Sequence, residues 1–350
     1  MGHEVTYLGL TARRDGLTGS AFSNRVHIEE DLAVGVDPGW FDLIKLVPKA
    51  RKTIRRIRPD VVHAGPIQKS ALLVALAGCH PLVSMSWGSD LLMEARRGIG
   101  CWGAKLTLER SDAFICDCQA VKESAQALGM SSERIVVFPW GVNLTHFHPE
   151  GSAEARQKLG WSSDFVLLST RTWEPIYGVD LLVKAFIQAA HRLPNLRLVM
   201  LGDGSQRALI HDLLADTGLE GRVHFAGMVA NASLPDYYRS ADLYISASHS
   251  DGSSVSLLEA MACGLPSVVT NIPGNMEWVT NGQTGWSFAD GAVEGLAQGI
   301  FTAVQHRDDL KSMGQTARDV VEVRADWNKN YPKMIEAYQM ATAYANRGVK

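Results

Sequence analysis

Cysteine is sparse in this 350-residue chain, and its placement argues against pairing. The five, Cys79, Cys101, Cys116, Cys118 and Cys263, are odd in number and show no Cys-x-x-Cys spacing. That excludes the usual zinc and dithiol redox motifs and gives no disulfide framework. They are expected to be reduced and structural, in a cytoplasmic protein, with Cys116 and Cys118 on one face of a strand. The eleven His are scattered without His-Glu-x-x-His spacing, so no protein-bound metal is indicated. Long apolar runs are also missing. The longest, Ala71 to Ala77, is core-helix size and far short of a membrane span. Met-Gly-His-Glu-Val at the start lacks the charged-then-apolar pattern of a leader. A net charge of −3 gives no electrostatic case for nucleic acid or another bulk polyanion as partner.

What is present is alternation. After a strand at Glu4 to Leu10, residues 11–40 show no strong periodicity. A helix follows at Phe41 to Ile57, with Pro48 as a kink or start signal. Arg58-Pro59-Asp60 then feeds a strand at Val61 to His63. Strands at Leu82 to Met85, Ala113 to Cys116 and Arg134 to Phe138 alternate with helices at Gln68 to Ala77, Ala104 to Arg110 and Ala120 to Leu128. Trp140 to Ser152, with Gly141, Asn143, Pro149 and Gly151, reads as a linker. A second series has strands at Phe165 to Ser169, Leu196 to Leu201, Arg222 to Phe225, Ala241 to Ile245 and Ser267 to Thr270, and a small one at Gly285 to Phe288. Helices of about ten residues separate them, and a helical tail closes the chain. Alternation of this kind means βαβ units and parallel sheets. The expected fold class is α/β, with two Rossmann-like doubly wound domains facing across a cleft. The domains are expected at 1–140 and 141–325, and the 326–350 helix is expected to pack back on the first. Ligands of such sheets bind at the carboxyl ends of the strands.

The stretch from Ser246 to Pro266 carries the clearest chemistry. A strand runs into Ser-His-Ser-Asp-Gly-Ser-Ser, and a helix closed by Gly264 and Pro266 follows. A small-residue turn entering a helix presents backbone N–H groups and a positive dipole end to an anion. Asp251 and Glu259 flank this turn with seven residues between them. Ser256 and Glu259 also fit a helix capping box, which needs no ligand. A nicotinamide-binding reading is disfavoured. Its nearest fingerprint, Gly202-Asp-Gly204, has Arg207 at the third glycine position, and Met228-Val229-Ala230 supplies no acid for a ribose. A Walker A loop is absent.

Four stretches in order resemble the retaining nucleotide-sugar glycosyltransferases of family 4, also called glycosyl transferases group 1, of GT-B architecture. They are Ser169-Thr-Arg-Thr-Trp-Glu-Pro-Ile-Tyr-Gly-Val-Asp-Leu-Leu182; Gly202-Asp-Gly204; Phe225-Ala-Gly-Met-Val with Leu234-Pro-Asp-Tyr-Tyr-Arg-Ser-Ala-Asp242; and the stretch from Ser246, continuing through Pro273-Gly-Asn-Met-Glu-Trp-Val279 to Asn281-Gly-Gln-Thr-Gly-Trp286. This match covers about residues 135–345. The first half agrees more loosely, through Gly2-His-Glu-Val, Arg58-Pro-Asp-Val-Val-His63, Gly88-Ser-Asp90 and Gly141-Val142.

The resemblance implies that Glu259 binds the ribose and that Asp251, in place of the usual Glu, sits by the sugar. It implies that the amides of Gly252, Ser253, Ser254 and Val255 meet the sugar or the diphosphate. Arg171 matches the diphosphate-binding arginine, and a fixed cation aimed at a departing diphosphate lowers the barrier to glycosyl transfer. Tyr177 stands where the family usually has Lys. Glu174, Gly202 and Glu277 match positions near the donor. On the acceptor side stand Gly88, Asp90 and His63, with Trp87 where many members have His. A buried strand-end histidine is also a common core residue.

The function implied is transfer of a sugar from a UDP- or GDP-sugar to an acceptor hydroxyl with retention, without a cofactor or metal. The acceptor would be a glycan or a lipid-linked group in polysaccharide or glycolipid synthesis. The enzyme is expected in the cytoplasm or at the inner membrane face. There the basic run Lys45, Lys49, Arg51, Lys52, Arg55, Arg56 and Arg58 could touch anionic lipid, though such a run is more often a solvated helix face. Compared with the family, one βα unit is expected to be missing before Gly2. That motivates an alternative, a non-catalytic sugar-nucleotide-binding remnant; an epimerase on the same architecture is a third reading.

Overall fold

The computed structural model describes residues 3–10, 26–29, 32 and 39–347. Gly2 of the first-half resemblance and most of residues 11–38 therefore lie outside the described residues. The chain divides into two compact units. The first comprises Met1–Cys116, Lys122–Val136 and Met334–Lys350; the second comprises Asp117–Val121 and Val137–Lys333. The division departs from the expected boundaries at 140 and 325. The helix Trp327–Arg347 changes units at Met334, and the five residues from Asp117 count with the second unit.

In the first unit, β1 (Val5–Tyr7) pairs in parallel with β2 (Val26–Ile28) as a separate two-stranded sheet. The strand at the start is thus shorter than Glu4 to Leu10, and its partner lies where no periodicity was expected. A three-residue strand is too short to display one. Four further strands lie in chain order: β3 (Val62–Ala64), β4 (Leu82–Met85), β5 (Ala113–Cys116) and β6 (Ile135–Val137). Strand β5 ends at Cys116, so Cys118 lies beyond it and the two thiols do not share a strand face. Before β3, the helix Trp40–Ile57 runs through Pro48 without ending. Pro48 cannot donate to the carbonyl of Ile44, but Ile44 is exposed, where water can take that partner.

The second unit is a six-stranded parallel sheet of β7 (Phe165–Ser169), β8 (Leu196–Leu201), β9 (Val223–Gly227), β10 (Leu243–Ser246), β11 (Ser267–Thr270) and β12 (Gly285–Phe288). Its spatial order is β12-β11-β10-β7-β8-β9. Alternate residues enter opposite cores. Phe165, Leu167, Leu243 and Ile245 pack with the helices Val179–Ala190 and Val293–Gln305. Val166, Leu168 and Tyr244 pack on the other face with Val255–Ala262 and Leu310–Arg324. Burial on both faces explains why these strands read as continuous apolar runs. The order means that the chain grows outward from β7 in one direction, returns, and grows outward from β10 in the other. Strands β7 and β10 are neighbours, and the gap outside their carboxyl ends is the topological switch point where ligands of such sheets bind.

Candidate active site

The two loops that leave the switch point carry Arg171, just after β7, and Asp251, just after β10. They meet: Arg171 Nη2 lies 2.8 Å from Asp251 Oδ2. Arg171 Nη1 also donates to Ser254 Oγ at 2.9 Å and Ser256 Oγ at 3.1 Å, while Nε is buried without a partner among the described residues. Burial opposes the guanidinium charge, but Asp251 and nearby tyrosines raise its pKa above the ordinary arginine value. One face of the guanidinium is covered by the ring of Tyr177, whose centroid lies 3.9 Å from Arg171 Cζ.

The capping box expected of Ser256 and Glu259 does not form. Ser254 is the N-cap of the helix Val255–Ala262, without a side-chain cap bond. Ser256 Oγ instead accepts from Tyr244 Oη at 2.8 Å. Glu259, one turn further in, is buried and accepts the Tyr238 hydroxyl at 2.8 Å. Burial drives the Glu259 carboxyl up to about 7, against the opposing effect of that hydrogen bond. Glu259 lines a cavity of about 710 Å³ with Gly141, Asn143, His146, Asn231 and Trp327.

The turn between the two acids is clamped. Ser253 donates its amide to Asp117 Oδ2 at 2.8 Å and its hydroxyl to the Asp117 carbonyl at 2.7 Å. The amides of this turn are therefore not all directed at a ligand, because a carboxylate of the same unit takes that of Ser253. Only glycine fits beside it. A Cβ on Gly252 would lie 2.3 Å from the Asp117 carboxylate oxygens, and one on Gly274 would lie 2.0 Å from the Gly252 carbonyl oxygen.

The flanking residues are tied into the same framework. Glu174 accepts the amide and hydroxyl of Ser205 at 3.0 and 2.5 Å. Gly202, at φ 88°, lets the end of β8 pass the Arg171 carbonyl, which a Cβ would approach to 2.8 Å. Glu277 is half-buried and accepts the Gln119 amide at 2.7 Å. In the first unit, Asp90 is buried and receives the amides of Ile67, Trp87 and Leu91 and the Ser86 hydroxyl. It braces the turn around Gly88 instead of presenting a vacant carboxylate. His63 is the middle residue of β3, not its end as expected; its Nδ1 lies 2.9 Å from Tyr338 Oη, and burial lowers its pKa to about 4.

Sequence reasoning missed Asp117, Tyr238, Tyr244, His146 and Asn231. None stands in a recognisable spacing to Asp251 or Glu259. Only the unusual Asp117 between two cysteines, at the end of a fully apolar strand, could have signalled a buried carboxylate with a specific partner.

The profile of Glycosyltransferase Family 4 matches residues 1–146 and that of Glycosyl transferases group 1 matches residues 152–320, leaving unmatched only the short join and the tail. The chain belongs to glycosyltransferase family 4. Among curated relatives, the D-inositol 3-phosphate glycosyltransferase of Rhodococcus jostii is 28% identical over 257 residues, 70% of this chain and 56% of its own length. That of Kineococcus radiotolerans is 34% identical over 184 residues, 49% of this chain and 42% of its own. The chain thus spans about half the length of these relatives. Among solved structures, Anabaena Alr3699/HepE in complex with UDP has a TM-score of 0.76 at 23% identity, covering 96% of this chain and 100% of that one. The sucrose-phosphate synthase of Thermosynechococcus elongatus has a TM-score of 0.82 at 19% identity, covering 97% and 89%. The family 4 chain shares with both the GT-B fold of two Rossmann-like units.

Proposed function

We propose that this family 4 chain transfers a sugar, with retention, from a nucleoside diphosphate sugar to an acceptor hydroxyl. The observation that carries the reading is the meeting of Arg171 and Asp251 at the switch point, with Glu259 in the helix that follows Asp251. In the reaction the bond from the anomeric carbon to the diphosphate oxygen breaks, the bond to the acceptor oxygen forms, and the acceptor hydroxyl proton passes to the departing diphosphate. Negative charge grows on the diphosphate, where Arg171 and the start of the helix Val255–Ala262 supply fixed positive potential. Asp251 is assigned to the sugar, Glu259 to the ribose hydroxyls, and no cofactor is required. A catalytic role is favoured over a remnant because Arg171 and Asp251 pair directly and Glu259 is held in place by the Tyr238 hydroxyl.

UDP-sugars are the first donors to test, since the HepE structure is a UDP complex, with GDP-sugars second. The acceptor is assigned to the glycan or lipid-linked class, in polysaccharide or glycolipid synthesis in the cytoplasm or at the inner membrane face. No described helix is long and apolar enough to cross a membrane. Peripheral contact is supported by the helix Trp40–Ile57, where exposed Phe41 and Ile44 accompany Lys45, Lys52 and Arg55. Flotation with anionic vesicles, lost on Lys52→Glu with Arg55→Glu, tests that contact. The function itself is tested by thermal shift with UDP-glucose, UDP-N-acetylglucosamine and GDP-mannose. At least one should raise the melting temperature, and Glu259→Ala should abolish the shift. Failure of every nucleotide sugar to stabilise the chain would overturn the reading.

A further inference from the structure

Tyr177 stands where the resemblance leads one to expect a second cation, yet it is not simply a neutral replacement. Its ring lies over the guanidinium of Arg171, 3.9 Å from Cζ to centroid. The other sides of that guanidinium are set by Asp251, Ser254 and Ser256. The backbone holding the ring is fixed at several points. The Tyr177 amide donates to the Glu174 carbonyl at 2.9 Å, and the His249 amide donates to the Ile176 carbonyl at 2.9 Å. Gly178 follows at φ 57°, where a Cβ would lie 2.2 Å from the Ala247 carbonyl oxygen. The loop carrying Tyr177 is thereby stitched to the chain leading into Asp251.

We infer that Tyr177 is a positioning residue. Its ring holds the Arg171 guanidinium in one orientation, so that the leaving diphosphate is met by a single pre-oriented cation where a mobile pair would otherwise act. The inference rests on the nucleotide-sugar reading of this site. An arginine side chain loses rotamer freedom when it engages a ligand, and a stacked ring removes much of that loss in advance. The ring also shields one guanidinium face from water, which strengthens attraction to an arriving anion. Tyr177 packs against the apolar core as well. The competing explanation is that it only fills space.

A double-mutant cycle on UDP binding to the full chain separates the two. The variants are Tyr177→Phe, Tyr177→Ala, Arg171→Gln and the Tyr177→Ala, Arg171→Gln double, each checked by its melting curve without nucleotide. Tyr177→Phe keeps the stacked ring and should bind UDP within about twofold of the unaltered chain. Tyr177→Ala should bind about tenfold more weakly, the size of a partly desolvated cation–π contact. In the Arg171→Gln background the same substitution should cost almost nothing. Equal losses in both backgrounds would overturn the inference, because Tyr177 would then act independently of Arg171. So would a Phe variant as weak as the Ala variant, since the phenol oxygen would then contact the nucleotide itself. Absence of UDP and GDP binding by the unaltered chain is a separate outcome that overturns the function reading, and the role for Tyr177 with it.

Discussion

Arg171 and Asp251, eighty residues apart in the chain, face each other at 2.8 Å across the point where the strand order reverses. Both are largely buried, so the pair is little screened by solvent. A diphosphate must compete with Asp251 for the same guanidinium. Asp251→Asn removes the competing charge. It should tighten UDP binding on the order of tenfold while lowering sugar transfer, because the carboxylate assigned to the sugar is lost. Without nucleotide the variant should melt earlier, since Arg171 is left buried and less compensated. Calorimetric titration with UDP checks the first effect, and weaker binding would show that Asp251 aids the diphosphate.

Glu259 makes stability depend on pH in a definite direction. Its folded pKa of about 7 lies above the ordinary carboxyl value of 4.5, so the folded state holds this proton more tightly than the unfolded one. The associated stability is present below about pH 4.5 and is lost as pH rises through 7. Glu259→Gln has no such titration. It should be more stable than the unaltered chain at pH 8 by about 3 kcal/mol and nearly equal at pH 4. Urea unfolding at the two pH values measures the difference.

His63 has the opposite slope. Burial lowers its pKa from 6.5 to about 4, so the folded state disfavours the protonated ring. Stability is full above about pH 6.5 and falls as acid is added toward pH 4. Replacement by Gln should remove about 2 kcal/mol of this loss at pH 5, relative to pH 8. Identical pH profiles for the two proteins would mean that the ring is hydrated.

Gly252 and Asp117 should behave as a pair. Gly252→Ala drives a methyl group onto the Asp117 carboxylate and should destabilise the chain by about 2 kcal/mol or more. Asp117→Ala vacates that space. In its presence the added methyl should cost far less, a coupling that melting curves of the two single variants and the double variant would reveal.

The strands Phe165–Ser169, Leu196–Leu201, Ser267–Thr270 and Gly285–Phe288 were legible to the residue, because each is a short run rich in aliphatic, aromatic or β-branched residues between turn-forming neighbours. The helix Gly98–Arg110 was legible only from Ala104, since Gly98, Gly100 and Gly103 mask its first turns. At the site, Asp251 and Glu259 could be found because one turn and one helix fix their spacing. Tyr238 and Asp117 could not. Each reaches the site from a distant segment through tertiary packing that leaves no local pattern. The stacking of Tyr177 on Arg171 was hidden similarly: they lie six positions apart, but only the folded loop determines what the ring touches.

The order of the second sheet has a consequence for how the protein is made. Synthesis releases β7, β8 and β9 before β10, so the first three strands can pair while one edge of β7 waits for a partner almost eighty residues downstream. That waiting edge borders the future ligand crevice. Until β10 arrives, Arg171 has no Asp251, and the open strand is a template for any passing chain. Nascent chains whose emerged part ends shortly before residue 243 should therefore depend most on chaperones, and those whose emerged part extends beyond the helix Val255–Ala262 should be markedly less sticky.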